Sequence, residues 1–398
     1  MYGPRATQVA RTLRALVPLG WQPTVVCLDP RRGGPHWRDG RDAPPLAGVD
    51  LIRVKSPEEW MIVRAAWKLM PSLREQPDSK WVWIGRAAAA VEAAAATTAF
   101  DGLVTFAQPW SDHLVGLRAH RATRLPWVAH FSDPWIDSPY WRGTAARRDA
   151  AAKMEADVVR EATALVFVTA EAADLVMKKY PASLRSKAAV VPHGFEPAPP
   201  PRPGARDTAA KMRLVYTGRF YEGIRTPTVL LRCLAQLQVE QAIGDKLELT
   251  FVGPFVTGFA DEARAFGVDA FVHFRSKVSR ADAEAIAAGA DALLVFDAPT
   301  DGPSPFLPSK LVDYLPLRKP IIGITPVKGA SASLLKRLGC PVAAPDDELA
   351  IRAAIADMLK RWTQGRLGVG PDFDRVAAEY DISRTTATFS DVLARAFA

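Results

Sequence analysis

Between residues 196 and 209 the chain carries prolines at 197, 199, 200, 201 and 203, a composition that neither flank shares. Proline removes a backbone donor and fixes φ, so this stretch continues neither a helix nor a central strand. On each side of it, short apolar runs alternate with helix-compatible stretches. Before it the strand candidates are residues 23–28, 102–106, 127–131, 165–169 and 188–191; after it they are 214–217, 247–252, 270–274, 292–296 and 320–324. Continuous apolar runs of this kind suit parallel strands buried on both faces, and the alternation suits open sheets covered by helices. At 398 residues the chain exceeds a single ordinary core. The expected organisation is one α/β domain over residues 1–196, a linker at 197–210, a second α/β domain at 211–370, and a helical segment at 371–398 able to pack back on the first domain.

The remaining composition narrows the setting. No apolar run approaches the roughly 20 residues that cross a bilayer, and residues 1–20 contain Pro4, Arg5, Arg11, Arg14 and Pro18 in place of a signal-peptide core. Cys27, Cys233 and Cys340 are few, odd in number and far apart, which fits a reducing, cytoplasmic interior. A net charge of +8 is compatible with nucleotides, lipid phosphates or nucleic acid and does not choose among them. Residues 87–96 and 147–162 read as scaffold helices. Ser79-Lys80-Trp81-Val82-Trp83 mixes a cation with aromatics, but reads better as a buried strand than as a nucleic-acid patch, so no nucleic-acid partner is expected. At the start, Gly3-Pro4-Arg5 leads straight into a helix around residues 9–16. A nucleotide-type α/β domain normally opens with a strand; that strand is expected to be missing, either because Met1 lies downstream of the native start, the favoured reading, or because the domain manages with an unusually exposed sheet position.

The densest chemistry lies beyond the linker. Thr217-Gly218-Arg219-Phe220-Tyr221-Glu222-Gly223-Ile224-Arg225 follows the strand at 214–217 and precedes a helix at 228–237. Gly218 permits a close turn, free backbone N–H groups can meet a phosphate, and Arg219 and Arg225 can neutralise a diphosphate without metal. The plainer alternative is two surface charges. About 85 residues later, by the numbering, Pro308-Ser309-Lys310-Leu311-Val312-Asp313-Tyr314 follows a Gly/Pro-rich loop at 297–308. Ser309 is placed to cap a helix. Lys310 and Asp313, one turn apart, can reach phosphate and ribose hydroxyls, or pair with each other.

In the first domain, His130 and Asp133 follow an apolar strand at its carboxyl end, where α/β sheets place ligands, with His113 as a further polar candidate. The alternative for His130 is a buried structural ring, and for Asp133 a turn cap. Trp110, Trp135, Tyr140 and Trp141 crowd the same loops, as sugar platforms or as ordinary packing. The six histidines lack a zinc spacing, and neither a Gly-x-Ser-x-Gly elbow nor a Walker-type phosphate loop occurs, so no metal is expected.

Taken together, these residues resemble the GT-B-fold glycosyltransferases of family four, of bacterial cell-surface polysaccharide type. Gly3-Pro4-Arg5 looks like that family's glycine-containing acceptor-side loop, Ser132-Asp133-Pro134-Trp135 is similar to its Arg-Asp-Pro-Trp signature, and Pro192-His193-Gly194-Phe195-Glu196 resembles the stretch closing the first domain. Gly218-Arg219 with Arg225 resembles the cation pair on the donor diphosphate, and Ser309-Lys310 with Asp313-Tyr314 the Ser-Lys and Glu-Tyr element at the nucleotide. Ser132, Arg225 and Asp313 depart from the usual Arg, Lys and Glu, and Pro305 stands where the family's first acid belongs; Asp297 or Asp301 can partly replace it.

The resemblance implies two Rossmann-like domains facing across a cleft and retaining transfer of a sugar from a nucleotide-diphosphate sugar to a saccharide or lipid-linked acceptor hydroxyl. It implies no cofactor beyond that donor, and is compatible with peripheral contact at the inner membrane surface. His130, Asp133, Arg219 and Arg225 are the catalytic candidates; Gly218, Arg219, Arg225, Gly253, Ser309, Lys310 and Asp313 are the donor-binding candidates. A GT-B-like epimerase or phosphorylase, or a silent sugar-nucleotide-binding protein, stays open as an alternative.

Overall fold

The structure, a computed structural model, describes residues 3–29, 46–70, 77–197, 211–254 and 258–398. Most of the proline-rich linker, residues 198–210, lies outside them. Two compact units emerge: Met1–Gly194 with Ile382–Ala398, and Phe195–Asp381.

The first unit contains strands β1 (Thr24–Leu28), β2 (Asp50–Val54), β3 (Leu103–Ala107), β4 (Trp127–Phe131), β5 (Ala164–Phe167) and β6 (Ala188–Val190). All pairings are parallel: β3-β4-β5-β6 form one hydrogen-bonded group, and β1 pairs with β2. Every residue of β4 is buried, as a central strand between two helical layers requires. Its alternate residues divide between them. Trp127, Ala129 and Phe131 join Val158, Val159 and Val176 on one side, while Val128 joins Leu13 and Leu16 of the first helix, Gly3–Leu16, and Phe389, Val392 and Leu393 of the last, Ile382–Phe397. The last helix is fitted closely. A Cβ on Gly102 would meet the Phe397 ring at 2.3 Å, and Trp21 Nε1 donates to Ser390 Oγ at 2.8 Å. The returning segment starts at 382, not at 371, because Phe373 and Val376 of the preceding turn are buried in the second unit's core.

The second unit contains β7 (Met212–Thr217), β8 (Leu247–Val252), β9 (Val272–Arg275), β10 (Ala292–Phe296), β11 (Ile321–Ile324) and β12 (Val342–Ala343), all parallel, in the order β12-β11-β10-β7-β8-β9. The strand order reverses between β7 and β10, the switch point at which an open α/β sheet leaves a crevice beyond its carboxyl ends. Along β10, Ala292, Leu294 and Phe296 enter one core and Leu293 and Val295 the other, so period-two alternation serves two apolar layers at once.

Two local expectations change. Trp81–Trp83 is a turn of 3-10 helix leading into the helix Ile84–Thr97, not a strand. The Asp78 carboxylate accepts from the backbone N–H groups of Lys80 and Ser111 at 2.8 and 2.9 Å, holding a turn ahead of the alanine-rich helix. Aromatic β-propensity yields to that context. Strand β2, unread in the sequence because Asp50 and Arg53 interrupt its apolar run, is an edge strand with both of those residues exposed.

Candidate functional site

In the second unit, the two segments singled out by sequence lie on adjacent strand ends. The loop after β7 turns at Gly218, where a Cβ would come within 2.4 Å of Tyr216 Oη; that hydroxyl donates to the Arg219 carbonyl at 3.1 Å. A tight turn closes between Tyr221 and Arg225 through reciprocal backbone bonds of 2.9 and 2.7 Å, with Gly223 at φ 68° in the left-handed region. Arg225 then ties the loop to the neighbouring strand: Nη1 donates to the Phe296 carbonyl at 3.0 Å and Nη2 to the Arg219 carbonyl at 2.9 Å. Arg219 itself is exposed.

This geometry redistributes the expected roles. The Gly218 and Gly253 N–H groups are already given to the Val252 and Arg275 carbonyls, at 2.9 and 3.1 Å, so they are not free for phosphate. Arg225 spends a hydrogen of each Nη on holding the loop. The further cations of these two segments are Arg219, in this one, and Lys310, in the other.

That other segment is the short helix Ser309–Tyr314. Ser309 is its first helical residue and makes no side-chain cap; Pro308 holds the cap position, with its fixed φ setting the entry. Lys310 Nζ lies 3.6 Å from the Asp313 carboxylate, so the two do share a face and pair. Tyr314 anchors the helix to the first segment: its buried hydroxyl accepts from the Thr217 N–H at 2.9 Å and lies 3.1 Å from Thr217 Oγ1. The loop before it is pinned by Asp297, whose buried carboxylate accepts from Ser304 Oγ at 2.7 Å and the Ala298 N–H at 2.9 Å. Asp297 is thereby committed to the loop, whereas Asp301 is exposed.

The first unit gathers a separate polar cluster. Arg5, near the start of the first helix, places Nη2 2.9 Å from His130 Nδ1. Guanidinium nitrogens only donate, so Nδ1 must accept and the proton resides on Nε2. Burial and then the Arg5 charge hold the His130 imidazole well below its usual pKa, so it stays neutral. The His193 ring stacks at 6.2 Å, and Phe106 and Phe389 lie at 5.2 and 5.9 Å. Burial raises the Asp133 carboxyl, and Arg5 opposes that rise; Gln108 Nε2 donates to Asp133 Oδ2 at 3.4 Å. Asp112, in the first turn of the helix Ser111–Thr123, is pushed up to about 8 by burial and by neighbouring Asp78.

His113 is structural. It is fully buried, its Nδ1 lies 2.8 Å from Thr105 Oγ1, and the same hydroxyl accepts from Trp127 Nε1 at 2.9 Å. The ring is neutral, its pKa lowered to about 3 by burial and by Arg5. In the unfolded chain the ring regains an ordinary pKa near 6.5, so below that value the unfolded state binds more protons and folding weakens. Compared with His113→Phe, the wild type should lose about 1.4 kcal/mol of stability per pH unit on acidification from 6.5 towards 3. Parallel denaturant titrations of both proteins check this, and equal slopes would return a proton to the folded ring. Trp135 is likewise packing, 1% exposed and stacked on Trp110 at 4.9 Å. Among the described residues no cluster of His, Cys, Asp and Glu is placed to hold a metal.

Residues 5–194 match the family model of the glycosyl transferase 4-like domain, a span that coincides with the main segment of the first unit. The first unit is therefore similar to a glycosyl transferase 4-like domain. Solved structures extend the likeness to the whole chain. A glycosyltransferase from Rickettsia africae superimposes with a TM-score of 0.67 at 11% identity, covering 98% of this chain and 94% of that one. WaaG, a glycosyltransferase involved in lipopolysaccharide biosynthesis, gives 0.60 at 15% identity, covering 99% and 96%. A trehalose-6-phosphate protein from E. coli, bound with UDP-2-fluoro glucose, gives 0.58 at 13% identity, covering 98% and 96%. No curated protein sequence matches the chain. The chain therefore has the GT-B fold.

Within the first unit, Arg5 is the residue whose partner sequence reasoning missed. It stood in the loop motif, but nothing local signals a partner 125 positions away.

Proposed function

We propose that this chain moves a sugar, of hexose type, from a nucleotide-diphosphate sugar to an acceptor hydroxyl, with retention, in cell-surface polysaccharide or glycolipid synthesis. The observation that carries the reading is the convergence of the Arg219 loop and the Lys310–Asp313 helix at the switch point between β7 and β10, joined by the Thr217–Tyr314 and Arg225–Phe296 bonds. Arg219 and Lys310 stabilise the charge that grows on the departing diphosphate, and Asp313 accepts from ribose hydroxyls. Donor binding exchanges the Lys310–Asp313 ion pair for these contacts. Partly exposed, that pair costs little to open.

On the acceptor side, His130 acts through its Nε2 proton, as a neutral hydrogen-bond donor to a sugar hydroxyl. It is not a general base, because Nδ1 is held by Arg5. Asp133 accepts from a hydroxyl beside it. The same reading places the protein in the cytoplasm, in peripheral contact with the inner membrane surface; no helix of the described residues is long and apolar enough to cross a bilayer.

Nucleoside diphosphate release from a panel of UDP-, GDP- and ADP-sugars, with and without saccharide acceptors, tests the proposal. Acceptor-dependent release is expected from one base class. Binding without release would make the chain a silent sugar-nucleotide carrier, sugar interconversion without acceptor would make it an epimerase, and dependence on inorganic phosphate a phosphorylase.

A further inference from the structure

The most exposed apolar surface among the described residues is the helix Met61–Leu69 and the residues flanking it. Met61, Ile62 and Leu69 are 86, 75 and 82% exposed, and Trp60 and Met70, at either end, 48 and 55%. The spacing is not scattered. Residues 61, 65 and 69 recur every four positions and 62 lies seven before 69, so Met61, Ile62, Ala65 and Leu69 form one stripe. Val63, Ala66 and Trp67 are half-buried, on the side turned towards the protein, and no residue of this helix is fully buried. Arg64 and Lys68, exposed and four apart, run along one border of the stripe, and the Arg86 guanidinium lies 4.7 Å from the Trp60 ring centroid. The nearby Glu58 carboxylate is engaged by Lys80 at 2.8 Å.

We infer that this helix is a docking surface for an anionic lipid bilayer, lying in the interface with the Met61–Ile62–Leu69 stripe among the acyl chains and Arg64, Lys68 and Arg86 among the headgroup phosphates. An apolar stripe edged by cations, with a tryptophan at its end, is the pattern of an interfacial helix. Charge complementarity selects an anionic surface. A two-fold pairing of the stripe with a second copy would set Arg64 and Lys68 near their own counterparts. The inference gives the proposed membrane contact a location and does not depend on the donor-sugar assignment.

Co-sedimentation of the full chain with vesicles of phosphatidylcholine alone, or mixed with phosphatidylglycerol, is the test. Binding is expected to the anionic vesicles, to weaken with salt, and to fall about tenfold or more in Ile62→Ser/Leu69→Ser and in Arg64→Gln/Lys68→Gln. Both variants change only surface groups, and circular dichroism with transfer to a soluble acceptor should match the wild type. Failure to bind anionic vesicles, or equal binding by both variants, would overturn the assignment. So would a concentration-dependent dimer abolished by Ile62→Ser/Leu69→Ser, which would give the stripe to a second copy. Vesicle binding is measured without donor or acceptor, so loss of the glycosyl-transfer reading would not change its outcome.

Discussion

Turnover in His130→Phe should fall by about 10- to 100-fold while nucleotide-sugar affinity changes little, the loss expected when a buried hydrogen-bond donor to a sugar hydroxyl is removed. Phenylalanine keeps the packing against Phe106, His193 and Phe389 and removes only the N–H and the partner of Arg5. Alanine would confuse a missing donor with a cavity. The second variant in the set, Arg5→Gln, should keep part of the activity, since an amide nitrogen can still donate to Nδ1. Asp133→Asn, which keeps shape and discards charge, should also lower turnover without weakening the donor. Steady-state kinetics on variants checked by thermal melting separate these effects. Wild-type turnover in folded His130→Phe would leave His130 a packing residue only.

Donor affinity should fall about 10- to 100-fold in Arg219→Ala and again in Lys310→Ala, the range for losing one hydrogen bond between charged groups. Arg219 is exposed, so its truncation should cost the fold little. Lys310→Ala frees Asp313 from its 3.6 Å partner, which adds repulsion towards a diphosphate to the lost attraction. Arg225→Ala is a poorer probe, because it also removes the bonds to the Phe296 and Arg219 carbonyls that shape the loop. Calorimetric titration with UDP- and GDP-sugars reads both effects. Unchanged affinity in both folded variants would dissolve the diphosphate site.

Two positions limit how far a family pattern can be carried. Pro305 replaces the acid expected in the loop after β10, and of the two carboxylates able to compensate, Asp297 is held by Ser304 Oγ and the Ala298 N–H while Asp301 is exposed. Ser132, in place of arginine, donates to the Ala107 carbonyl at 2.9 Å. The cation of this cluster comes instead from Arg5.

Much of this was legible in one dimension. Strands buried on both faces, such as β4 and β10, announce themselves as unbroken apolar runs because parallel sheets in this class are covered on both sides. Lys310 and Asp313 were placed together by the helical period alone. Where local signals competed, they failed: Trp81–Trp83 has strand composition and sits in a turn of helix, and Asp50–Val54 has an edge strand's charges and so no apolar run. What the tertiary structure alone decided is the pairing of groups remote in sequence. Arg5 with His130, Thr217 with Tyr314, and Arg225 with the Phe296 carbonyl each join residues 71 to 125 positions apart. Propensity and periodicity act over a turn or a strand, whereas the protonation of a buried ring and the availability of a backbone N–H depend on whatever the fold brings against them.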